Sequence, residues 1–134
     1  MPHVLFVSPN RDEADMYEVG FKVAGCLILT VGDAKSTLAA ATEFLFDAAV
    51  VSADLRNQQG WRLCQEVRTA LPPKTPVLIL TASIRADGHH RRQAQSLGYA
   101  AFAAKPCPPD ALVDLVRRAV SGERDLMWLG ESAA

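Results

Sequence analysis

The side chains in this chain that could carry chemistry stand at or just beyond the ends of short apolar runs. Ser52 closes the run Ala48-Ala49-Val50-Val51-Ser52, and its hydroxyl becomes a nucleophile only with a neighbouring base. Asp54 follows two residues later, displaced by about 6 to 7 Å along an extended backbone. Lys105 ends another run, where its ammonium needs an acceptor such as Asp54, the Ser52 hydroxyl or a backbone carbonyl. Asp12 falls in the first turn of a helical pattern, a place the helix dipole favours for a carboxylate without any ligand role. Cys26, Cys64 and Cys107 are odd in number and widely spaced, which suits neither a disulfide framework nor a zinc site. Cys26 and Cys64 occupy apolar positions and read as small core residues, and Cys107 has no histidine near it in sequence to activate it. The run His89-His90-Arg91-Arg92 is either a basic contact patch for an acidic partner or a solvated helix face.

These residues must be positioned by the elements around them, and the pattern of elements is regular. Short apolar runs at His3 to Val7, Cys26 to Val31, Ala48 to Ser52, Pro76 to Leu80 and Ala100 to Ala104 read as strands covered on both faces. A helix pattern follows each. The first carries Ala14, Tyr17, Phe21 and Ala24 on one stripe, with Asn10 and Glu13 as a capping box and Gly25 as its stop. The second, Ala34 to Leu45, turns Leu38, Ala41 and Leu45 inward. The third, Gly60 to Leu71, buries Leu63, Cys64, Val67 and Leu71 before Pro72-Pro73. The fourth, Ile84 to Leu97, offers the core only Ala94 and Leu97, so the segment Ser83 to Gln95 is expected to be the loosest. The fifth, after Pro108-Pro109, turns Leu112, Leu115, Val116, Ala119 and Val120 inward. Five such units predict an α/β doubly wound sandwich with a five-stranded parallel sheet and right-handed crossovers.

A chain of 134 residues is one domain with a single core. The expected division is a domain over 1–122 and a short C-terminal tail or truncated linker over 123–134. In the tail, Leu126, Met127, Trp128 and Leu129 form an apolar cluster able to dock on the domain or on a partner. Lys plus Arg number 14 against 15 Asp plus Glu, so no basic field points to nucleic acid. No apolar run approaches the roughly 18 residues of a membrane span, and no signal peptide opens the chain, which predicts a cytoplasmic protein without membrane contact.

With Gly60 eight residues after the third strand, Thr81-Ala82 ending the fourth, Lys105-Pro106 ending the fifth and Phe102 three residues before that lysine, the chain resembles the receiver domain of two-component response regulators. The resemblance runs from His3 to about Ser121. It implies a flavodoxin-like (CheY-like) strand order 2-1-3-4-5, with the site at the carboxyl ends of the strands. It also implies a carboxylate nucleophile ending the third strand, an acidic pair ending the first to help hold Mg²⁺, and a hydroxyl and a lysine that bind phosphoryl oxygens. Thr81 and Lys105 match these last two. The acidic pair falls at Ser8 and Pro9, the phosphoacceptor at Ser52, and the aromatic switch position at Phe102, which is otherwise a permanently packed core or interface aromatic.

The reading that follows is a pseudo-receiver: a non-enzymatic signalling module with no cofactor and no metal, acting through protein contacts. Its implied partners are a histidine kinase or signalling effector, or a second copy through the face made by the fourth helix, fifth strand and fifth helix. Two alternatives remain open. One is a phosphorylated receiver whose acceptor is displaced to Asp54. The other is a small flavodoxin-like enzyme or nucleotide binder, although Ser8-Pro9-Asn10-Arg11 lacks the glycines of a phosphate-cradling G-x-G-x-x-G loop.

Overall fold

A computed structural model of the chain describes residues 2–82 and 89–130, with His90 and Arg91 described only by their backbone. The elements are β1 (His3–Val7), α1 (Arg11–Val23), β2 (Leu27–Val31), α2 (Ala34–Glu43), β3 (Ala48–Ser52), α3 (Gln58–Ala70), β4 (Val77–Thr81), α4 (His89–Ser96), β5 (Ala101–Ala104), α5 (Pro109–Val120) and β6 (Leu126–Trp128). The described strands form one parallel sheet of six, in the order 2-1-3-4-5-6.

Alternation along each strand sorts the side chains onto two cores, as a period of two requires. Val4, Phe6, Val50, Leu78, Leu80, Ala101 and Ala103 face α1 and α5, where they meet Tyr17, Phe21, Leu112, Leu115 and Val116. Leu5, Val7, Val51, Val77, Ile79 and Phe102 face the other way, against Cys64 and Val67 of α3, Ala94 of α4 and Tyr99. β3 and β4 are buried along their whole length, because a parallel strand in mid-sheet has helices over both faces.

The fifth strand is not the sheet's edge, which corrects the expected five-strand count. After α5 the backbone turns through Gly122 and Asp125, both at positive φ, and Leu126 to Trp128 pair with Ala101 to Ala103. The amide of Leu126 donates to the Ala100 carbonyl at 3.1 Å, and the Leu126 side chain extends the α1/α5 core. The physical reason is that the outer edge of β5 would otherwise present a row of unpaired backbone groups. Leu126 and Trp128 of the tail's apolar cluster therefore pack on its own domain while Met127 and Leu129 stay exposed, and any contact through the expected α4–β5–α5 face meets β6 at its edge.

Helix ends follow the sequence closely, and helix faces less so. Asn10 and Asp33 cap α1 and α2 by accepting from the amides of Glu13 and Ser36, and Asn57 caps α3 from three residues before the expected start. Gly25 closes α1 at φ +86°. In α2 the buried residues are Thr37 and Ala40, while Leu38 is exposed; the helix ends at Glu43, and Leu45 is exposed beyond it as Phe46 turns inward. Small side chains let α2 lie close to the sheet, so its inward face is rotated from the one the leucines marked. Val120 and Leu97 are likewise exposed, each standing at or just past the end of its helix. Val113 takes an inward place in α5. The loosely built segment expected over Ser83 to Gln95 lies, for residues 83–88, outside the described residues.

Two glycines mark places where elements meet closely. A Cβ on Gly60 would sit 1.9 Å from the Asp54 carbonyl oxygen, so α3 packs directly on the β3–α3 loop only because that position has no side chain. A Cβ on Gly20 would sit 2.4 Å from the Pro109 Cβ, which sets the close approach of α1 to the start of α5.

Candidate functional site

The carboxyl ends of β1, β3, β4 and β5 lie side by side, so Ser8, Ser52, Thr81 and Lys105 converge on one end of the sheet. Ser52 pairs in register with Leu80, one residue before Thr81, and Thr81 pairs with Ala104, one residue before Lys105. The Lys105 amide donates to the Thr81 carbonyl at 2.9 Å, which fixes the lysine beside the fourth strand. Ser8, Ser52 and Thr81 are buried.

The group at the centre of this cluster is Glu13, from the first turn of α1. Its Oε2 lies 2.6 Å from the Lys105 Nζ, and its Oε1 accepts from the Ser8 hydroxyl at 2.9 Å. The Ser52 hydroxyl lies near enough to favour the charged form of this carboxylate. The side chains of Glu13 and Lys105 are only 14% and 28% exposed, so the pair sits well inside the surface. Burial pushes the Glu13 carboxyl up, but the bond to Lys105, the two serine hydroxyls and the lysine charge together outweigh it and hold the group below the ordinary glutamate value. Glu13 is therefore ionised at neutral pH, an internal carboxylate held by an ammonium and the Ser8 hydroxyl.

This corrects two expectations. The acceptor for Lys105 is Glu13, not Asp54, Ser52 or a carbonyl. The capping box at α1 is also only half formed: Asn10 accepts from the Glu13 amide at 3.1 Å, but the Asn10 amide donates to the Ser8 hydroxyl at 3.1 Å, and the Glu13 side chain turns to Ser8 and Lys105. A carboxylate in the first turn of the helix that leaves a strand end is the sequence signal that marks Glu13, once Lys105 is known to face the same crevice.

α1 is held to the lysine's loop by a second bond. The buried Tyr17 hydroxyl donates to the Cys107 carbonyl at 2.6 Å, while the Tyr17 ring stacks on Phe6. Desolvation raises the Tyr17 phenol well above its usual range, so it stays protonated and remains a donor.

The other sequence candidates are distributed as follows. Pro9 lies exposed in the β1–α1 loop. Asp54 is exposed and forms a two-pronged pair with Arg56, Oδ1 to Nε and Oδ2 to Nη2, both at 3.0 Å. Asp12 is exposed in the first turn of α1. Phe102 is fully buried in the α3/α4-side core. His89 and Arg92 are exposed on α4, while the side chains of His90 and Arg91 lie outside the described residues. Burial pushes the Cys64 thiol up to about 12 and the Cys107 thiol up to about 11, and all three cysteines are buried. Thiols in that state are poor nucleophiles.

A five-helix α/β sandwich with its polar cluster at the carboxyl ends of the strands is a doubly wound signalling or nucleotide-binding fold. Residues 4–117 match the family model of the response regulator receiver domain, and the chain belongs to that family, the receiver modules of two-component signalling. Among solved structures, the fold is similar to the receiver domain of the Francisella response regulator 1452, with 21% identity and TM-score 0.76 over 90% of this chain and 98% of that one. It is also similar to the chemotaxis response regulator CheY4 of Vibrio cholerae, with 23% identity and TM-score 0.72 over 88% and 98%. A receiver domain protein from Clostridium thermocellum shows 18% identity and TM-score 0.75 over 90% and 95%. At these identities the likeness is one of fold. No curated protein matches the chain in sequence. Among the described residues, no helix is long and apolar enough to cross a membrane.

Proposed function

We propose that this chain is a pseudo-receiver, a non-enzymatic two-component module that signals through protein contacts without aspartyl phosphorylation. The observation that carries this reading is the Glu13–Lys105 pair. In the family's chemistry the strand-five lysine meets a phosphoryl oxygen, whereas here it is already neutralised by a carboxylate of its own chain. Ser52 occupies the acceptor position, and among the described residues the carboxylate beside it, Glu13, is ion-paired with Lys105 and held below the ordinary glutamate value, which makes it a poor base for a serine hydroxyl.

The donor set does not fit Mg²⁺. That ion prefers several oxygen ligands, usually including carboxylates, in near-octahedral geometry. Ser8 and Pro9 replace the acidic pair, and the one carboxylate drawn into the cluster has an ammonium 2.6 Å away, which repels a cation. Asp54 is a poor substitute acceptor, since its carboxylate is spent on Arg56 at the surface. As to partners, a kinase or effector, or a second copy, would meet a face edged by β6, with Phe102 serving as core rather than as a moving switch.

The test is exposure of the full chain to acetyl phosphate or beryllofluoride with millimolar Mg²⁺, read by intact-mass spectrometry and by thermal shift. The expected result is no adduct and no Mg²⁺-dependent shift, and Ser52→Asp alone should not restore phosphorylation because Ser8 and Pro9 remain. A stable Mg²⁺-dependent acyl phosphate on the unaltered chain overturns the proposal, and mapping it to Asp54 establishes the displaced acceptor.

A further inference from the structure

Beside the Glu13–Lys105 pair opens a cleft of about 1060 Å³, at the upper end of the range of small-molecule sites, which runs to roughly 1000 Å³. Its apolar lining comes from Met16 and Tyr17 of α1, the prolines of the β5–α5 loop, and Trp128 and Leu129 at the end of β6. Its polar lining includes Asp12, Glu13 and Lys105. A large, mainly apolar concavity with a few converging polar groups is what a ligand site requires. Residues 4–117 carry the family match, so Trp128 and Leu129 are an addition outside it, brought to the cleft by the sixth strand.

We propose that this cleft binds an uncharged, flat, largely apolar small molecule bearing a carbonyl-type oxygen. The charge follows from the lining: Asp12 and Glu13 against Lys105 leave an excess of one negative charge, so an anion is disfavoured unless it breaks the internal pair. The acceptor follows from the lysine, whose ammonium has three N–H donors, of which the 2.6 Å contact to Glu13 uses one direction. The flat shape follows from Trp128, whose partly exposed ring favours stacked or edge-on aromatic contact, while Tyr17 is buried and stacked on Phe6. Because Trp128 belongs to β6, a bound ligand would also tie that strand to α1 and couple occupancy of the cleft to the seating of the tail.

The experiment titrates the full chain with prodan, an uncharged naphthalene ketone whose emission shifts to the blue on leaving water. Saturable one-to-one binding is expected, with Kd in the range ~1 to 100 μM. Trp128→Ala should weaken it at least ~10-fold, as should Met16→Glu, an exposed α1 position that leaves β6 and the core untouched. Leu38→Glu, in a separate groove between α2 and α3, should leave it unchanged. 8-Anilinonaphthalene-1-sulfonate, a naphthalene that carries a negative charge, should bind at least ~10-fold more weakly than prodan. Absence of saturable binding, indifference to Met16→Glu, or equal binding of the sulfonate overturns the proposal. The readout uses unphosphorylated protein, so its failure leaves the pseudo-receiver reading standing, and an acyl phosphate would leave the cleft standing.

Discussion

Removing one member of the Glu13–Lys105 pair should cost stability unequally, depending on which charge is left behind. Exposed ion pairs contribute ~0 to 1 kcal/mol, whereas orphaning one charge of a fully buried pair costs ~3 to 5 kcal/mol. With side chains 14% and 28% exposed, this pair lies between those limits. Glu13→Gln keeps the shape and an acceptor for the ammonium, and the flexible lysine stem can carry its charge outward, so the expected loss is ~1 to 2 kcal/mol. Lys105→Met leaves the less exposed Glu13 carboxylate with only serine hydroxyls, and the expected loss is ~2 to 3 kcal/mol. The double variant removes both charges and should be no less stable than Lys105→Met, giving a coupling energy of ~1 to 2 kcal/mol.

The assay is urea unfolding followed by circular dichroism, with midpoint and slope compared across the four proteins. The pH dependence has a definite sign. Because the folded Glu13 pKa lies below its unfolded value of 4.5, its stabilisation is fully present above that pH and is lost as pH falls below it through the folded pKa. The gap between wild type and Glu13→Gln should therefore be widest at neutral pH and close only in acid. A coupling energy within ~0.3 kcal/mol of zero, the usual error of additivity, would refute the idea that these two groups hold each other.

Gly60→Ala should lower stability by ~2 to 3 kcal/mol, since its Cβ would overlap the Asp54 carbonyl and force α3 off the loop; a calorimetric Tm unchanged from wild type would contradict this. Leu126→Asp should unseat β6 by burying a carboxylate in the α1/α5 core, and hydrogen exchange should then speed up at the Leu126 amide while β3 and β4 stay protected. Native protein should leave Ellman's reagent nearly unreacted at neutral pH and release three thiols' worth of colour in denaturant, because burial shields Cys26 and also raises the Cys64 and Cys107 thiols. Prompt reaction of Cys107 in the native state would mean that its loop opens.

The alternation of five strand and helix patterns was legible in the sequence because each strand is a short apolar run and the first helix opens on a side-chain cap, Asn10. Local physics governs those features: hydrophobic period, capping and turn residues act within a few positions. The convergence of Ser52, Thr81 and Lys105 was also legible, since strand ends in a parallel sheet share one edge and all three residues close their runs. The pairing of Lys105 was not. Glu13 satisfies a local rule as the third residue of a capped helix, and only the docking of α1 against the loop that follows β5, fixed in part by Tyr17 on the Cys107 carbonyl, turns its carboxylate toward a lysine from the far end of the chain.

The sixth strand was hidden for a similar reason. Leu126 to Trp128 is too short a run to show a period, and Asp125 before it adopts a left-handed conformation that its residue type alone does not announce. What makes it a strand is the open edge of β5, a feature that exists only after the sheet has formed. Likewise, Leu38 looks like a core residue until α2 approaches the sheet through Thr37 and Ala40, whose small size allows close contact and turns the leucine outward. Sequence by itself determined the first five strands, their helices and which polar groups stand at their ends. Tertiary structure decided which of those groups meet, because long-range pairing depends on how close the elements can pack.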